Sequence, residues 1–539
     1  MRLKIAIAQV NFTVGDLAGN KEKILEFSGE AERLKSDLVV FSELAICGYP
    51  PEDLVLKSAF QKRAIKIIKQ IAAETRGLKT ALLLGGIDIH EGKLFNTAFL
   101  IKRGKIVHRQ YKHELPNYGV FDEKRIFALG KLPKTVKFCG IKLGILICED
   151  MWTREVPEAL KAADLLISIN GSPFEKSKAK VRREKAKAAA KIAQAPLIYV
   201  NQTGGQDELV FDGDSFVISA SGEEKIALPF FAEKIFAVDF AEEKSGWKIE
   251  NPLARKKTSQ EEIIYKALVL GLKDYVEKNK FPGVVIGISG GVDSALSATI
   301  AVDALGPKKV LGLMLPSRYT SKESIEDSKE LAQNLGIKLE EISIELAFSA
   351  FRACLSPLFK NLPEDITEEN MQSRIRGLIL MAVSNKLGHM VLATGNKSEM
   401  SVGYTTLYGD MCGGFSVLKD VYKTEVYRLA GWRNGLKKII PQRTIERAPT
   451  AELRFNQKDQ DTLPPYDVLD GILEMLIERE LPKEKIIAAG FAAKTVEKVE
   501  RMVNLSEYKR RQSPPGVKIT SRSFGRDRRY PITNKFFDE

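Results

Sequence analysis

The chain is predicted to be an α/β protein of two domains joined by a polar connection. Three observations carry this expectation. Apolar runs of strand length alternate with amphipathic helical stretches over the first ~245 residues, the pattern of a layered α/β fold. Near residues 242–260 the sequence turns polar (AEEKSGWKIENPLARKKTSQ), as a linker does. A second α/β pattern then begins, and its first strand runs into a glycine-rich loop and an apolar helix. A length of 539 residues is in any case too great for one core.

In order, strands are expected at residues 4–10, 37–42, 80–89, 141–147, 164–169 and 196–201, with a Lys/Ala-rich helix at 175–191. The domains are expected at 1–245 and 261–539, with a linker at 246–260. A helix at 261–278 opens the second domain and the strand 283–288 follows it. No internal repeat or low-complexity segment interrupts this order.

Composition narrows the class. With 44% hydrophobic and 28% charged residues the chain reads as an ordinary globular protein. No apolar run approaches the ~18 residues of a membrane span, so no membrane partner is expected. The N-terminus MRLKIAIAQVNF alternates like a strand and lacks the apolar core of a signal peptide. Five scattered cysteines without CxxC spacing point to a reducing cytoplasm and away from a disulfide framework or zinc site. Four histidines, none at ligand spacing with another, disfavour a histidine-based metal centre. The net charge of +13 mostly reflects abundant Lys and Glu on solvated helix faces. Only residues 509–535 are sharply skewed, with nine bases against Asp527.

Three segments of the first domain end in reactive side chains. DLVVFSEL delivers Glu43, GKIVHRQYKHELPNYGVFDE delivers Lys112, and GIKLGILICEDMW delivers Cys148. Strand ends gather functional groups at one edge of an α/β sheet. A thiolate nucleophile, a carboxylate that moves protons and an ammonium that steadies an oxyanion make a coherent amide-hydrolysis set. Singly, each has a plainer explanation: a small buried hydrophobe, a helix cap, a surface charge. Together, in this order, they resemble the nitrilase/carbon-nitrogen hydrolase superfamily, whose catalytic set is Glu, Lys and Cys.

FSELAICGYPPEDL, LPNYGVFDEKR, LICEDMW, NGSPF and VNQTGGQDELVFDG further resemble the glutaminase half of glutamine-dependent NAD synthetases. That resemblance implies a four-layer αββα sandwich, with glutamine held by Tyr118, Ser172 and Lys178.

In the second domain GVVIGIS runs into SGGVDS and then ALSATIAVDAL. Glycines let the backbone approach a phosphate, and the N–H groups opening a helix attract anions. No GK[ST] follows, so this is not a Walker A loop. SGGVDS resembles the pyrophosphate loop of N-type ATP pyrophosphatases, which implies a doubly wound parallel sheet and ATP contacts from Gly287, Ile288, Ser289, Gly290, Gly291, Val292, Asp293 and Ser294. ENMQSRIRG, VLATGNKSEMSVGYTTLYGD and LKDVYKTEVYRL resemble NAD synthetases specifically. By that resemblance Arg374, Thr394 and Lys423 contact ATP, Asn370 and Glu399 lie in the deamido-NAD site, and Asp293 and Glu399 bind Mg2+.

The basic tail, with interleaved Phe and Tyr, suits a nucleic-acid-binding arm or a disordered extension when read alone. Similar tails in NAD synthetases close over the dinucleotide, which makes Lys518 a contact for it. The resemblance as a whole implies a cytoplasmic, homo-oligomeric ligase that uses glutamine, ATP and deamido-NAD, with no nucleic-acid partner. An amidotransferase acting on another acceptor and an RNA-binding module are the alternatives.

Overall fold

The computed structural model describes residues 1–536 apart from 245, 361 and 535. It divides into two compact units, Met1–Thr258 and Ser259–Glu539.

The strands of the first unit are β1 (Arg2–Gln9), β2 (Leu38–Val40), β3 (Ala81–His90), β4 (Lys93–Lys102), β5 (Lys105–Tyr111), β6 (Val136–Phe138), β7 (Ile141–Ile147), β8 (Leu165–Asn170), β9 (Leu197–Asn201), β10 (Thr203–Gln206), β11 (Leu209–Asp212), β12 (Phe216–Ile218), β13 (Glu224–Ala227), β14 (Lys234–Glu243) and β15 (Gly246–Ile249). One sheet has seven strands in the order β15-β14-β1-β2-β3-β4-β5, and another has six in the order β13-β12-β9-β8-β7-β6. The helices are α1 (Leu17–Arg33), α2 (Ser58–Glu74), α3 (Glu155–Ala159) and α4 (Lys178–Ala193).

Strand alternation decides the layering. Leu3, Ile5 and Ile7 of β1, with Val40 and Leu83, pack against Leu143, Ile145 and Ile147 of β7 and Ile167 of β8, sealing a core between the sheets. The opposite faces of the first sheet, through Ala6, Ala8, Val39 and Leu82, receive Ile24 of α1 and Ile68 of α2. Leu166, Leu197 and Tyr199 of the second sheet receive the alanines of α4. The result is the helix–sheet–sheet–helix sandwich that the sequence resemblance implied.

The linker expected at 246–260 is corrected. Its first residues form β15, which pairs antiparallel with β14. Leu253 hydrogen-bonds to the β13 backbone, and Arg255 forms ion pairs with Asp214 and Glu224. A polar edge strand with outward charges reads like a loop, which is why composition placed the boundary too early.

The second unit starts at α5 (Gln260–Lys278), capped by Ser259. Its sheet is built from β16 (Val284–Gly287), β17 (Val310–Met314), β18 (Lys338–Glu341), β19 (Met390–Ala393) and β20 (Phe415–Ser416). All pairs are parallel, in the order β18-β17-β16-β19-β20. The helices are α6 (Val292–Leu305), α7 (Lys322–Leu335), α8 (Glu345–Leu355), α9 (Ile366–Leu387), α10 (Lys397–Val402), α11 (Lys423–Leu436), α12 (Gln442–Glu446), α13 (Tyr466–Leu473), α14 (Lys483–Ala488), α15 (Ala493–Leu505) and α16 (Glu507–Arg510). The chain leaves β16 toward one edge and returns at β19 on its other side. That switch point opens a crevice at the carboxyl ends of β16 and β19, where ligands of such sheets bind.

The basic tail is neither a free arm nor a disordered extension over its described length; Lys535 lies outside the described residues. Ser416 N–H donates to the Pro515 carbonyl at 2.8 Å. Ile519 and Thr520 N–H each donate to Asp420 at 2.7 Å, and Arg528 pairs with Glu507 at 2.9 Å. Arg510, Arg511 and Arg528 pair with Glu507, and Arg522 pairs with Glu480, acids that the composition of the tail alone does not show.

Gly85 of β3 tests how tightly the strand ends are built. A Cβ there would lie 2.2 Å from Leu44 N and 2.7 Å from the Glu43 carbonyl carbon. Gly85→Ala is therefore expected to destabilise the protein by about 1–3 kcal/mol. Gly29→Ala in α1, with nothing within 4 Å, is expected to stabilise it by up to ~1 kcal/mol. Chemical denaturation of the two variants checks the contrast.

Candidate active sites

Glu43 lies three residues beyond β2, Lys112 directly follows β5, and Cys148 directly follows β7. All three side chains are buried. Lys112 Nζ donates to Glu43 Oε1 at 2.7 Å and to both oxygens of Glu123 at 2.9 and 2.8 Å. Glu43 is held further by Asn96 Nδ2 at 2.7 Å and by Gly171 N–H at 2.8 Å. Tyr49 OH donates to Glu123 at 2.9 Å.

Electrostatics assigns states to these groups. Burial pushes the Cys148 thiol well above its ordinary range, Glu43 adds to this, and Lys112 opposes it. The resting sulfur is therefore a thiol, which needs a base before it can attack. Burial penalises the Lys112 ammonium, but Glu123 and Glu43 outweigh it and hold Lys112 protonated. Burial pushes the Glu123 carboxyl up to about 7, against the opposing pull of Lys112. Glu43, which Lys112 and two further donors reach, is near enough to Cys148 for its charge to act on the thiol.

Cys148 has φ of 48° and opens the short 3-10 turn Cys148–Met151. A left-handed conformation is costly for a side chain of this kind and is kept only where the surroundings enforce it. Asp150 does so. Its carboxylate accepts from Ile147 N–H at 3.0 Å and from His113 and Glu114 N–H at 3.0 and 2.8 Å. One side chain thus ties the nucleophile's turn to the segment that carries Lys112.

Tyr118 OH donates to both oxygens of Glu149 at 3.1 Å. Lys178 lies 5.0 Å from the ring centroid of Phe121, and its charge also reaches Glu149. Ser172 adjoins Gly171 and is buried; its Oγ accepts from Arg182 Nε at 3.0 Å. Arg182 is fully buried and pairs with Asp212 at 2.7 Å. Glu123, Asp150 and Arg182 escaped the sequence reading. Glu123 and Asp150 sit inside motifs already singled out, whereas Arg182 is hidden among the bases of α4.

In the second unit a cavity of about 410 Å³ opens at the switch point. The run Gly287–Ser294 lines it, as do Asn370, Thr394, Glu399 and Lys423. Gly290 has φ of 83°, and a Cβ there would lie 2.7 Å from the Ser324 carbonyl oxygen, so the loop needs glycine at this point. Val292 opens α6 immediately after, leaving its first N–H groups toward the cavity as an anion site. Asp293 accepts from Asn396 Nδ2 at 3.0 Å and pairs with Lys423. Lys423 Nζ is also 3.4 Å from Glu399. Burial pushes the Glu399 carboxyl up to about 8; Lys423 opposes this, while Asp293, Asp459 and Asp410 add to it. Two carboxylates converging on one cation are hard oxygen donors of the kind Mg2+ takes.

Two residues expected to contact ligand stand outside the cavity lining. Arg374 is exposed and donates to the Leu407 carbonyl at 3.1 Å, outside the cavity lining. Arg376 lines the cavity instead. Two positions along a helix turn a side chain by ~200°, so only one of the two arginines can face inward. Burial pushes the Arg376 guanidinium down to about 10, with only Glu452 against it. Lys518 is also absent from the lining. Its Nζ pairs with Asp527 at 2.8 Å and donates to the Thr520 carbonyl at 2.6 Å.

Comparison with known proteins agrees with both halves. The carbon-nitrogen hydrolase family model matches residues 4–246, and the NAD synthase family model matches residues 264–513. A glutamine-dependent NAD(+) synthetase of Thermotoga maritima is 45% identical, with 99% of each chain covered. That of Acinetobacter baylyi is 44% identical, with 98% of each covered. Among solved structures, a glutamine-dependent NAD+ synthetase from Acinetobacter baumannii in complex with adenosine diphosphate superposes with a TM-score of 0.80 at 42% identity, covering 100% of both chains. One from Cytophaga hutchinsonii gives 0.83 at 22% identity, covering 99% of this chain and 98% of that one, a likeness of fold.

The raised carboxyl of Glu123 carries a stability signature. Folded, it holds a proton up to about 7 that the unfolded chain releases near 4.5. Its contribution is complete below the lower value and is lost as pH rises through the upper one. Wild-type unfolding free energy is expected to fall by up to ~3 kcal/mol more across that window than that of Glu123→Gln. Denaturant titrations between about pH 5 and about pH 8 measure the difference in slope.

Proposed function

The chain belongs to the glutamine-dependent NAD(+) synthetases, and we propose that its two units divide the reaction between them. Glutamine is hydrolysed in the first unit, and the ammonia released is consumed in the second. The observation that carries the reading is one chain combining a buried thiol beside carboxylates bridged by Lys112 with a glycine-rich anion loop at a sheet switch point.

In the first unit Cys148 Sγ attacks the side-chain amide carbon of glutamine while Glu43 accepts the thiol proton. Lys112 steadies the oxyanion. Glu43 returns its proton to the departing nitrogen, and ammonia leaves a thioester. Water, deprotonated by Glu43, then releases glutamate and restores the thiol. Tyr118 and Lys178 stand at the rim with Glu149, and Ser172 beside Gly171, positions that support their holding the amino-acid end of glutamine.

In the second unit the nicotinate carboxylate of deamido-NAD attacks the α-phosphorus of ATP, and pyrophosphate leaves. Ammonia adds to the acyl-adenylate carbon, AMP leaves, and the nitrogen loses a proton to give NAD. That the Acinetobacter baumannii relative is in complex with adenosine diphosphate supports a nucleotide ligand for this chain, and the glycine-rich loop that lines the cavity supports this cavity as its place. The loop from Gly287 to Ser294 takes the phosphates, and Thr394, Arg376 and Lys423 stand around them. Asp293 and Glu399 would hold Mg2+, which neutralises phosphate charge. Asn370, whose Oδ1 accepts from Thr406 Oγ1 at 2.7 Å, lies on the deamido-NAD side.

Two further features belong to this reading. Leu346 and Leu358, 88% and 75% exposed, and Leu362, Ile366 and Leu378 form apolar surface on and between α8 and α9. Such surface supports assembly with further copies of the chain. The cysteines are free, which supports a reducing, cytoplasmic setting.

Cys148→Ala is expected to lower glutamine-supported NAD synthesis by about 10³-fold or more while leaving ammonium-supported synthesis within about twofold. Asp293→Asn is expected to lower synthesis with both donors by ~100-fold. Coupling NAD formation to alcohol dehydrogenase measures both. Primary products other than AMP and pyrophosphate would sink the synthetase half of the reading.

A further inference from the structure

Helix α10 has six residues, yet its N-cap and first three positions are each gripped by a different element. Asn396, the cap, donates to Asp293 at 3.0 Å. Ser398 Oγ donates to Asp470 of α13. Glu399 faces Lys423 of α11 at 3.4 Å. Successive side chains on a helix point ~100° apart, so the remaining one, Lys397, points elsewhere. It is fully buried and absent from the cavity lining. Its Nζ donates to Thr520 Oγ1 at 2.5 Å and to the Arg522 carbonyl at 2.8 Å. It pairs with Asp420 at 2.8 Å and Glu478 at 3.4 Å, and lies 4.8 Å from the Tyr422 ring centroid.

Asp420 is shared with the tail. It accepts from the N–H groups of Ile519 and Thr520 at 2.7 Å each, and from Thr520 Oγ1 at 2.9 Å. Burial opposes its ionisation, but Lys397 and Lys518 outweigh burial and hold the carboxyl below its ordinary range. A buried ammonium is a poor choice for stability alone, since an apolar side chain of similar volume often serves as well or better. What it adds is direction, because its donors must meet fixed acceptors. Here the acceptors come from the C-terminal segment, and the helix they orient presents Asn396 and Glu399 to Asp293.

We propose that Lys397 is a positioning residue of the second site, which fastens residues 518–522 to α10 and so sets where Asn396 and Glu399 stand relative to Asp293. The proposal rests on reading that cavity as the ATP and metal site. The C-terminal segment completes the site from behind without contacting the ligands through Lys397.

Mn2+ titration of the full-length protein without nucleotide, followed by electron paramagnetic resonance, tests the role. Lys397→Met is expected to weaken Mn2+ binding at least about tenfold, the scale of lost support behind a ligand. The kcat for NAD should fall equally with glutamine and with ammonium, while the KM of glutamine hydrolysis stays unchanged. Thr520→Val, which keeps the charge, is expected to weaken Mn2+ binding about threefold. A cooperatively folded Lys397→Met protein that binds Mn2+ within about twofold of wild type overturns the proposal. Should Lys397→Met fail to fold, unchanged Mn2+ affinity in Thr520→Val overturns it. Wild-type protein that binds no Mn2+ overturns the proposal with its premise. Wild-type protein that binds Mn2+ but makes no NAD from deamido-NAD, ATP and ammonium overturns the synthetase reading alone, and the Mn2+ comparison still decides on Lys397.

Discussion

A buried lysine ammonium shared between two carboxylates is the interaction on which both sites turn. Lys112 joins Glu43 to Glu123, Lys423 joins Asp293 to Glu399, and Lys397 joins Asp420 to Glu478. Removing three charges from water at one point is costly, and only close pairing with further hydrogen bonds offsets the cost. The surroundings are therefore bound to be rigid. Asn96, Tyr49 and Gly171 hold the first cluster, Asn396 the second, and Thr520 the third. Rigidity at these points is what a reaction needs from groups that must be oriented before substrate arrives.

Backbone constraints bring the clusters into being. Glu43 comes three residues after β2, Lys112 and Cys148 directly after β5 and β7, and the turn after β7 puts Cys148 at a φ that its neighbours must enforce. Asp150 supplies that enforcement while also gripping the residues after Lys112. In the second unit the equivalent constraint is Gly290, where Ser324 leaves no room for a Cβ. Side-chain chemistry is thus set by strand order and turn shape first, and by charge second.

Much of this was legible in the sequence. β7 matches its expected span, Lys112 and Cys148 directly follow strands, and Glu43 lies three residues beyond the shorter β2. Strand ends follow from apolar runs, and reactive residues just past them stand out. Partners contributed by distant segments do not. Glu123 meets Lys112 across a loop, and Arg182 is a buried cation in a helix whose other bases are solvated. Arg374 and Arg376 are indistinguishable by motif, and only the helix's phase on the sheet separates them. The tail misled for a related reason: a run of bases says nothing of the acids, Asp420 and Glu507 among them, that wait elsewhere in the fold.

The two lysine clusters differ in what their charge must accomplish. Around Cys148 one ammonium faces two carboxyls, and the raised Glu123 lets the cluster approach neutrality near pH 7 by keeping a proton. A neutral amide enters such a site without electrostatic penalty, and the proton that Glu43 takes from sulfur can return to nitrogen locally. The second cavity gathers carboxyls that burial pushes toward their protonated form. Asp293 and Glu399 share one lysine, and burial also raises the carboxyls of Asp410 and Asp459. Once ionised, these groups would repel a polyphosphate unless positive charge came with it. Arg376 offers one such charge, with Glu452 opposing the effect of its burial, and a hard divalent cation between Asp293 and Glu399 would offer more. Carboxyls that ionise when a cation binds, and that repel phosphate without one, thereby favour nucleotide entering together with its metal.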